Sequence, residues 1–415
     1  MRRRSWAFGA RLALAVVVLG ACGSSSSNGL TSNDASVPPW IAPSAGDLAA
    51  FSYLTDTIPA TITVDGARGL AVIDTGDPWV LLDPTTFPAA ASLSQSGGTV
   101  PSIALAGTST NDPWVYGSTT GDVDIDPTFA IEANVGCTVL CGLVASFNYR
   151  DVTLTLGSAT TPSGLEASTT LGFMLLGGDG TSMFPASRIV VTVSLEGKDY
   201  SMILDTGATD VTVSAAAFAA LTADGRTQIS GGVDTTSGMS TSSLTRAATV
   251  AVGGVVVDGV VIAHDPSFDT NQLSQLSSDV GYTIDGSLGG TFLHDFYVTV
   301  DYAKEQLTLA RYQDLSFILD QGELIGITLG VVSGTGVYEV TAVSGDAATK
   351  KVSVNDVVTA IDGTDLASVS SLQVAALIYG KVGSTKQVTF GKAAKLANMT
   401  VPILVDETLP LPSAG

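Results

Sequence analysis

Two five-residue stretches decide the reading of this chain: Val72-Ile73-Asp74-Thr75-Gly76 and Ile203-Leu204-Asp205-Thr206-Gly207. Each sets an Asp-Thr-Gly tripeptide directly after two large apolar residues, the order expected where a buried strand runs into a tight turn. One such tripeptide arises by chance at about one position in eight thousand and says little alone. Two of them, on the same kind of strand and 131 residues apart, raise the question of whether the surrounding sequence repeats as well.

It does. The shift of 131 also carries Val64-Asp65-Gly66 onto Leu195-Glu196-Gly197 and Phe87 onto Phe218. A second block closes each copy at a shift of 153: Ile131-Glu132-Ala133-Asn134-Val135-Gly136 falls on Ile284-Asp285-Gly286-Ser287-Leu288-Gly289. The same shift puts Asn148-Tyr149 on Asp301-Tyr302 and Leu154-Thr155-Leu156 on Leu307-Thr308-Leu309. The second copy therefore holds 22 extra residues in its middle. Each copy reads as a strand, a hairpin turn at Asp65-Gly66 or Glu196-Gly197, and a strand into Asp-Thr-Gly. Later come two apolar residues, a glycine and a final strand. Gly, Ser, Thr, Val and Ala dominate the rest, in short β-branched runs separated by turn residues, so the fold is mostly β. A chain of 415 residues suggests two or three domains.

Chemistry follows from the duplicated tripeptide. Gly76 and Gly207 let the backbone turn sharply after the strand, while the hydroxyls of Thr75 and Thr206 can bond across the symmetry axis and hold the opposite loop. Asp74 and Asp205 would then face each other. Two adjacent carboxylates do not both ionise readily, so they share one proton and titrate as a pair. The ionised member can take a proton from a water between them while the other donates to a substrate carbonyl oxygen. Neither a metal, nor a cofactor, nor a covalent intermediate is needed. The alternative is two tight surface turns in a repeated β scaffold, with no chemistry.

With these motifs the chain resembles the pepsin and retropepsin clan of aspartic peptidases, and in particular bacterial proteins that join such a core to a PDZ domain. The resemblance covers about Ala50 to Tyr312 and implies a two-lobed pepsin/retropepsin-like β fold from an internal duplication. One catalytic aspartate per lobe maps onto Asp74 and Asp205, and the element packed behind each loop maps onto Asn134-Val135-Gly136 and Ser287-Leu288-Gly289. The chain departs from the clan where the first residue of each trio is polar, and where Asp77 follows Gly76 in place of a small or hydroxylated residue. A third carboxylate there would raise the proton affinity of the pair, or would point to solvent and do nothing. The clan also leads us to expect a flap tyrosine, and Tyr116 is the candidate.

The implied organisation is a lobe over 47–157, an inter-lobe linker over 158–187, a second lobe over 188–313 and a PDZ-like α+β domain over 322–406. The last rests on Val352-Ser353-Val354-Asn355-Asp356-Val357-Val358-Thr359-Ala360-Ile361-Asp362-Gly363. Ser370 to Lys381 would be its groove helix, and Ile325, Gly326 and Ile327 the loop whose amides hold a peptide carboxylate. A small β-rich cap that binds no peptide is the alternative.

At the other end, Arg2, Arg3 and Arg4 precede an apolar run from Leu12 to Leu19, about half the roughly 20 residues a bilayer requires. Residues 1–21 read as a signal peptide. Leu19-Gly20-Ala21-Cys22 resembles a bacterial lipobox, which implies a lipid on Cys22; residues 22–46 read as a flexible tether. Loss of the four leader arginines takes the formal charge from −21 to −25, which argues against any grip on nucleic acid. Cys137 and Cys141 either form a local disulfide in an oxidising compartment or stay as buried thiols. Together with His264 and His294 they give no metal-ligand spacing.

The leading expectation is an aspartic endopeptidase acting on protein or peptide substrates among exported proteins. It would be held by lipid at the outer membrane, facing the periplasm or cell surface, with the oligomeric state open and compatible with a monomer. The rivals are a catalytically weak or inactive lipid-anchored peptide- or protein-binding protein on the same fold, and a structural surface lipoprotein.

Overall fold

The computed structural model describes residues 42–93, 97–118, 124–126, 129–158, 161–176, 186–230, 233–234, 242–266, 273–318, 323–332, 337–369, 374, 377–392, 396–405 and 407–411. The expected signal peptide 1–21, Cys22, most of the 22–46 tether and half of the Ser370 to Lys381 segment lie outside these residues.

Each copy of the repeat starts with the same hairpin. Pro59–Val64 pairs antiparallel with Ala67–Ile73, closing at Val64 and Ala67, and Arg188–Leu195 pairs with Lys198–Leu204, closing at Leu195 and Lys198. The two turn residues are left-handed in both, with φ of 46° and 86° at Asp65 and Gly66 and 50° and 82° at Glu196 and Gly197. This is the turn whose twist matches the flanking strands, and it explains why an acid-glycine pair stands at each position. The outgoing strand then runs into the interior, with Leu70 to Ile73 all buried.

Each copy closes alike. Ala133–Val135 inserts parallel to Ala67–Ile73 and antiparallel to Val80–Leu82; Gly286–Leu288 does the same between Lys198–Leu204 and Val211–Val213. The acid before each inserted strand ties it down. Glu132 accepts from the Leu70 amide at 2.9 Å, and Asp285 from the Ser201 amide at 3.0 Å. Among the described residues these strands belong to one curled sheet of eight strands and another of ten, the half-barrels of a two-lobed molecule.

A third sheet joins the halves, in the order Thr153–Leu156, Val144–Asn148, Phe296–Asp301, Gln306–Arg311, Thr169–Gly172. At its centre Ser146 lies opposite Thr299, its own counterpart in the second copy, with the two hydroxyls 3.1 Å apart. Residues 158–187 are therefore more than a linker: Thr169–Gly172 extends this sheet and Met174–Leu176 adds to the second lobe. One hydrophobic core runs through both lobes and the joining sheet, from Ile62 and Ile73 through Phe147 to Leu204, Val298 and Leu309.

The C-terminal residues form an α+β module around a sheet that includes Ile327–Val332, Val337–Val343, Val357–Ile361, Thr385–Phe390 and Thr400–Leu404. It is not a separate body. Its core is continuous with Ile229, Leu244, Val261 and Ala263 of the second lobe. Arg246 of that lobe donates through Nε to the Leu409 carbonyl at 2.7 Å. The outer edge of Ile327–Val332 is met by Val233–Asp234, from the extra residues of the second copy, in parallel register.

Candidate active site

The two Asp-Thr-Gly loops meet at the lobe interface. Thr75 and Thr206, 1% and 0% exposed, lock them together reciprocally. Thr75 Oγ1 donates to the Leu204 carbonyl at 2.8 Å and accepts from the Thr206 amide at 3.1 Å. Thr206 Oγ1 donates to the Ile73 carbonyl at 2.7 Å and accepts from the Thr75 amide at 3.1 Å. Four bonds thus pair each threonine with the other copy's backbone, and all four are desolvated, the setting in which losing a partner is costly.

That lock brings the aspartates together. Each carboxyl lies against the glycine of the other copy's loop. A methyl group on Gly76 would lie 2.5 Å from Asp205 Cγ, and one on Gly207 the same distance from Asp74 Cγ, so only glycine admits the opposing carboxyl. Asp74 is buried and Asp205 half-buried. Asp74 Oδ1 accepts from the Gly76 amide at 2.7 Å, while Asp205 Oδ1 accepts from the Gly207 and Ala208 amides, both at 3.0 Å. Burial, and after it the charge of Asp74, push the Asp205 carboxyl well above the usual carboxylate range. The shift favours the protonated form at Asp205.

The surroundings of the two aspartates differ. On the Asp74 side, Asn134 in the inserted strand donates both hydrogens of its amide, to Asp74 Oδ2 at 2.9 Å and to Asp77 Oδ2 at 3.0 Å. Asp77 Oδ1 accepts from the Trp79 amide at 2.9 Å. Asp77 therefore faces the dyad rather than solvent, and burial, then the charge of Asp74, raise it to about 7 against the opposing pull of Arg188. On the Asp205 side the equivalent positions are Ala208 and Ser287, so no third carboxyl stands there. The sequence reading flagged Asp77 and the polar trio residue separately, but did not pair them. Arg188 carried no signal.

Tyr116 corrects an expectation. It lies in Trp114–Gly117, an internal strand parallel to Val80–Leu82, with its ring edge-on to Trp79 at 5.3 Å. It is part of the sheet and not the tip of a flap hairpin. Cys137 and Cys141 are joined in a disulfide, just after the Gly136 close approach, where a methyl would strike the Asp77 and Trp79 carbonyls at 2.2 and 2.3 Å. In the C-terminal module the Ile325 amide donates to the Ile378 carbonyl at 3.2 Å and the Gly326 carbonyl accepts from Ser344. The expected carboxylate loop thus has one amide already committed within the fold.

Comparison with known proteins agrees with this geometry in the second lobe. Residues 191–292 match a family model described as aspartyl protease, a span that takes in Asp205 and the Ser287-Leu288-Gly289 element. No curated protein sequence matches the chain. Among solved structures, the aspartic proteinase from Irpex lacteus is similar at 15% identity and a TM-score of 0.40, over 65% of this chain and 97% of that one. By its family match the second lobe is aspartyl-protease-like, and the first lobe supplies the matching half of the carboxyl pair.

Proposed function

We propose that the protein is an aspartic endopeptidase that hydrolyses peptide bonds of exported proteins through a water activated by Asp74 and Asp205. The observation that carries this reading is the reciprocal Thr75–Thr206 lock, which sets the carboxyl of each copy against the glycine of the other. Asp74, fed by the Gly76 amide and the Asn134 carboxamide, acts as base toward the water. Asp205 carries the proton and donates it to the substrate carbonyl oxygen as the tetrahedral intermediate forms. When the intermediate collapses, Asp74 passes the proton taken from water to the leaving amine and Asp205 recovers a proton from the diol hydroxyl, so the dyad again holds one proton.

In this reading the C-terminal module is PDZ-like, and its shared core with the second lobe suits it to control access or present substrate from a fixed position. Lipid on Cys22 would hold the molecule at the outer membrane. The test is cleavage of an unfolded protein such as reduced casein by the full chain in detergent, from pH 3 to 8, beside Asp74→Asn and Asp205→Asn. Loss of cleavage in both folded variants supports the dyad. No cleavage by the parent chain at any pH overturns it.

A further inference from the structure

The dyad is asymmetric, and the asymmetry is concentrated in two residues. The inserted strand of the first lobe carries Asn134, 2% exposed, where the second carries Ser287. The position after the first Asp-Thr-Gly is Asp77, where the second copy has Ala208. One carboxamide bridges the Asp77 and Asp74 carboxyls through a single nitrogen, so their bridged oxygens cannot lie more than about 6 Å apart, twice an ordinary hydrogen-bond length. The Asn134 carbonyl oxygen is buried without a hydrogen-bond partner, so the side chain is oriented by its two carboxyl contacts alone.

Building on the peptidase reading, we infer that Asp77 and Asn134 are positioning residues. Asn134 clamps the Asp74 carboxyl in place, and Asp77 sets the pH range over which the dyad holds one proton.

The physical argument concerns charge. A peptidase dyad works while it keeps a single proton, and activity falls on the alkaline side when that proton is lost. A second carboxylate bridged to Asp74 opposes that loss, because removing the proton would then place three negative charges together. Across about 5 Å of protein interior, one unit charge shifts a neighbouring titration by about two pH units. The charged groups that bear on Asp77 are Asp74 in the dyad loop and Arg188 from the second lobe, and Arg188 acts on Asp205 as well. Arg188 offsets part of the repulsion. Asp77 itself is raised to about 7 by burial and by Asp74, so its charge acts on the dyad from near neutrality upward. The arrangement therefore extends peptidase activity toward neutral pH.

The experiment compares the full chain in detergent with Asp77→Asn, which removes the charge and keeps the shape, and Asn134→Val, which removes the clamp from a buried strand position. The first readout is kcat/KM against pH on a casein-derived peptide. The alkaline limb should move to lower pH by one to two units in Asp77→Asn, while Asn134→Val should lower kcat at least tenfold with little change in KM. A limb that stays in place in a cleaving Asp77→Asn chain overturns the inference and leaves the peptidase reading standing. The second readout, urea midpoint from pH 5 to 8, needs no cleavage. If the inference holds, the midpoint difference between parent and Asp77→Asn widens as pH rises, because the parent alone must charge a half-buried carboxyl beside Asp74. A constant difference overturns it even if the chain proves inactive.

Discussion

Replacing Thr206 by valine tests whether the loops are held as described. Valine keeps the shape and removes the hydroxyl, so two bonds go: Oγ1 to the Ile73 carbonyl at 2.7 Å and the Thr75 amide to Oγ1 at 3.1 Å. Each leaves a buried backbone group without that partner, at about 1–3 kcal/mol apiece, so the variant should lose about 2–6 kcal/mol. Against a total of about 5–15 kcal/mol for an ordinary domain this is a large fraction. Thr75→Val removes the symmetric pair of bonds and should cost the same within about 1 kcal/mol. The two threonines belong to one network, so the double variant should depart from the sum of the singles by about 0.5–3 kcal/mol. Urea unfolding followed by tryptophan fluorescence gives all three numbers from the midpoints and slopes. Losses below about 0.5 kcal/mol in both single variants, the range of ordinary surface changes, would refute the idea that the threonines fasten the lobes.

Other predictions rest on separate features. Gly136→Ala should fail to fold or lose several kcal/mol, because its methyl meets two backbone carbonyls at 2.2 and 2.3 Å, which no rotamer change relieves; soluble yield and melting temperature report it. Asp210 is raised to about 7 by burial and by the charge of Asp56, and its Oδ1 has no hydrogen-bond partner. Its favourable contribution is complete below the usual pKa of 3.8 and is lost as pH rises toward 7. Asp210→Asn should therefore raise stability at pH 8 by up to about 4 kcal/mol and change little at pH 4, read from urea midpoints. Arg246→Ala removes the donor to the Leu409 carbonyl and should speed trimming of residues 407–411 by carboxypeptidase; an unchanged rate would show that other contacts hold this end.

The duplicated halves were legible because every element of the repeat is local. An acid-glycine turn, a strand into Asp-Thr-Gly and an inserted apolar strand can each be recognised within a dozen residues, and two shifts align them. The threonine lock could be expected on the same ground, since its geometry follows from the symmetry relating the loops. Asn134 was not legible in this way. A polar residue in a buried strand signals that some partner exists, but the partner lies 57 residues away at Asp77 and 60 away at Asp74, and only the fold identifies it. The same holds for Val233–Asp234, whose pairing with Ile327–Val332 spans the second lobe and the C-terminal module. Tyr116 was named from the family resemblance and not from its neighbours. Alternating aromatic and apolar residues before glycine describe an internal strand as well as a hairpin arm, and the parallel partner that decides the matter is Val80–Leu82.

The strand pairing at Ser146 and Thr299 carries a consequence for the symmetry of the chain. Val144–Asn148 runs antiparallel to Phe296–Asp301, with Val144 opposite Asp301 and Asn148 opposite Tyr297. Under the repeat, Asp301 is the counterpart of Asn148 and Tyr297 that of Val144, so the register is the one a strand adopts when it meets a second copy of itself. A chain encoding only one half would present an isologous edge and, through a single threonine, an isologous loop. This architecture has the local symmetry of a homodimer within a single chain. Two halves in one chain need not be identical, and Asp77 with Asn134 marks where one side of the dyad departs from that symmetry.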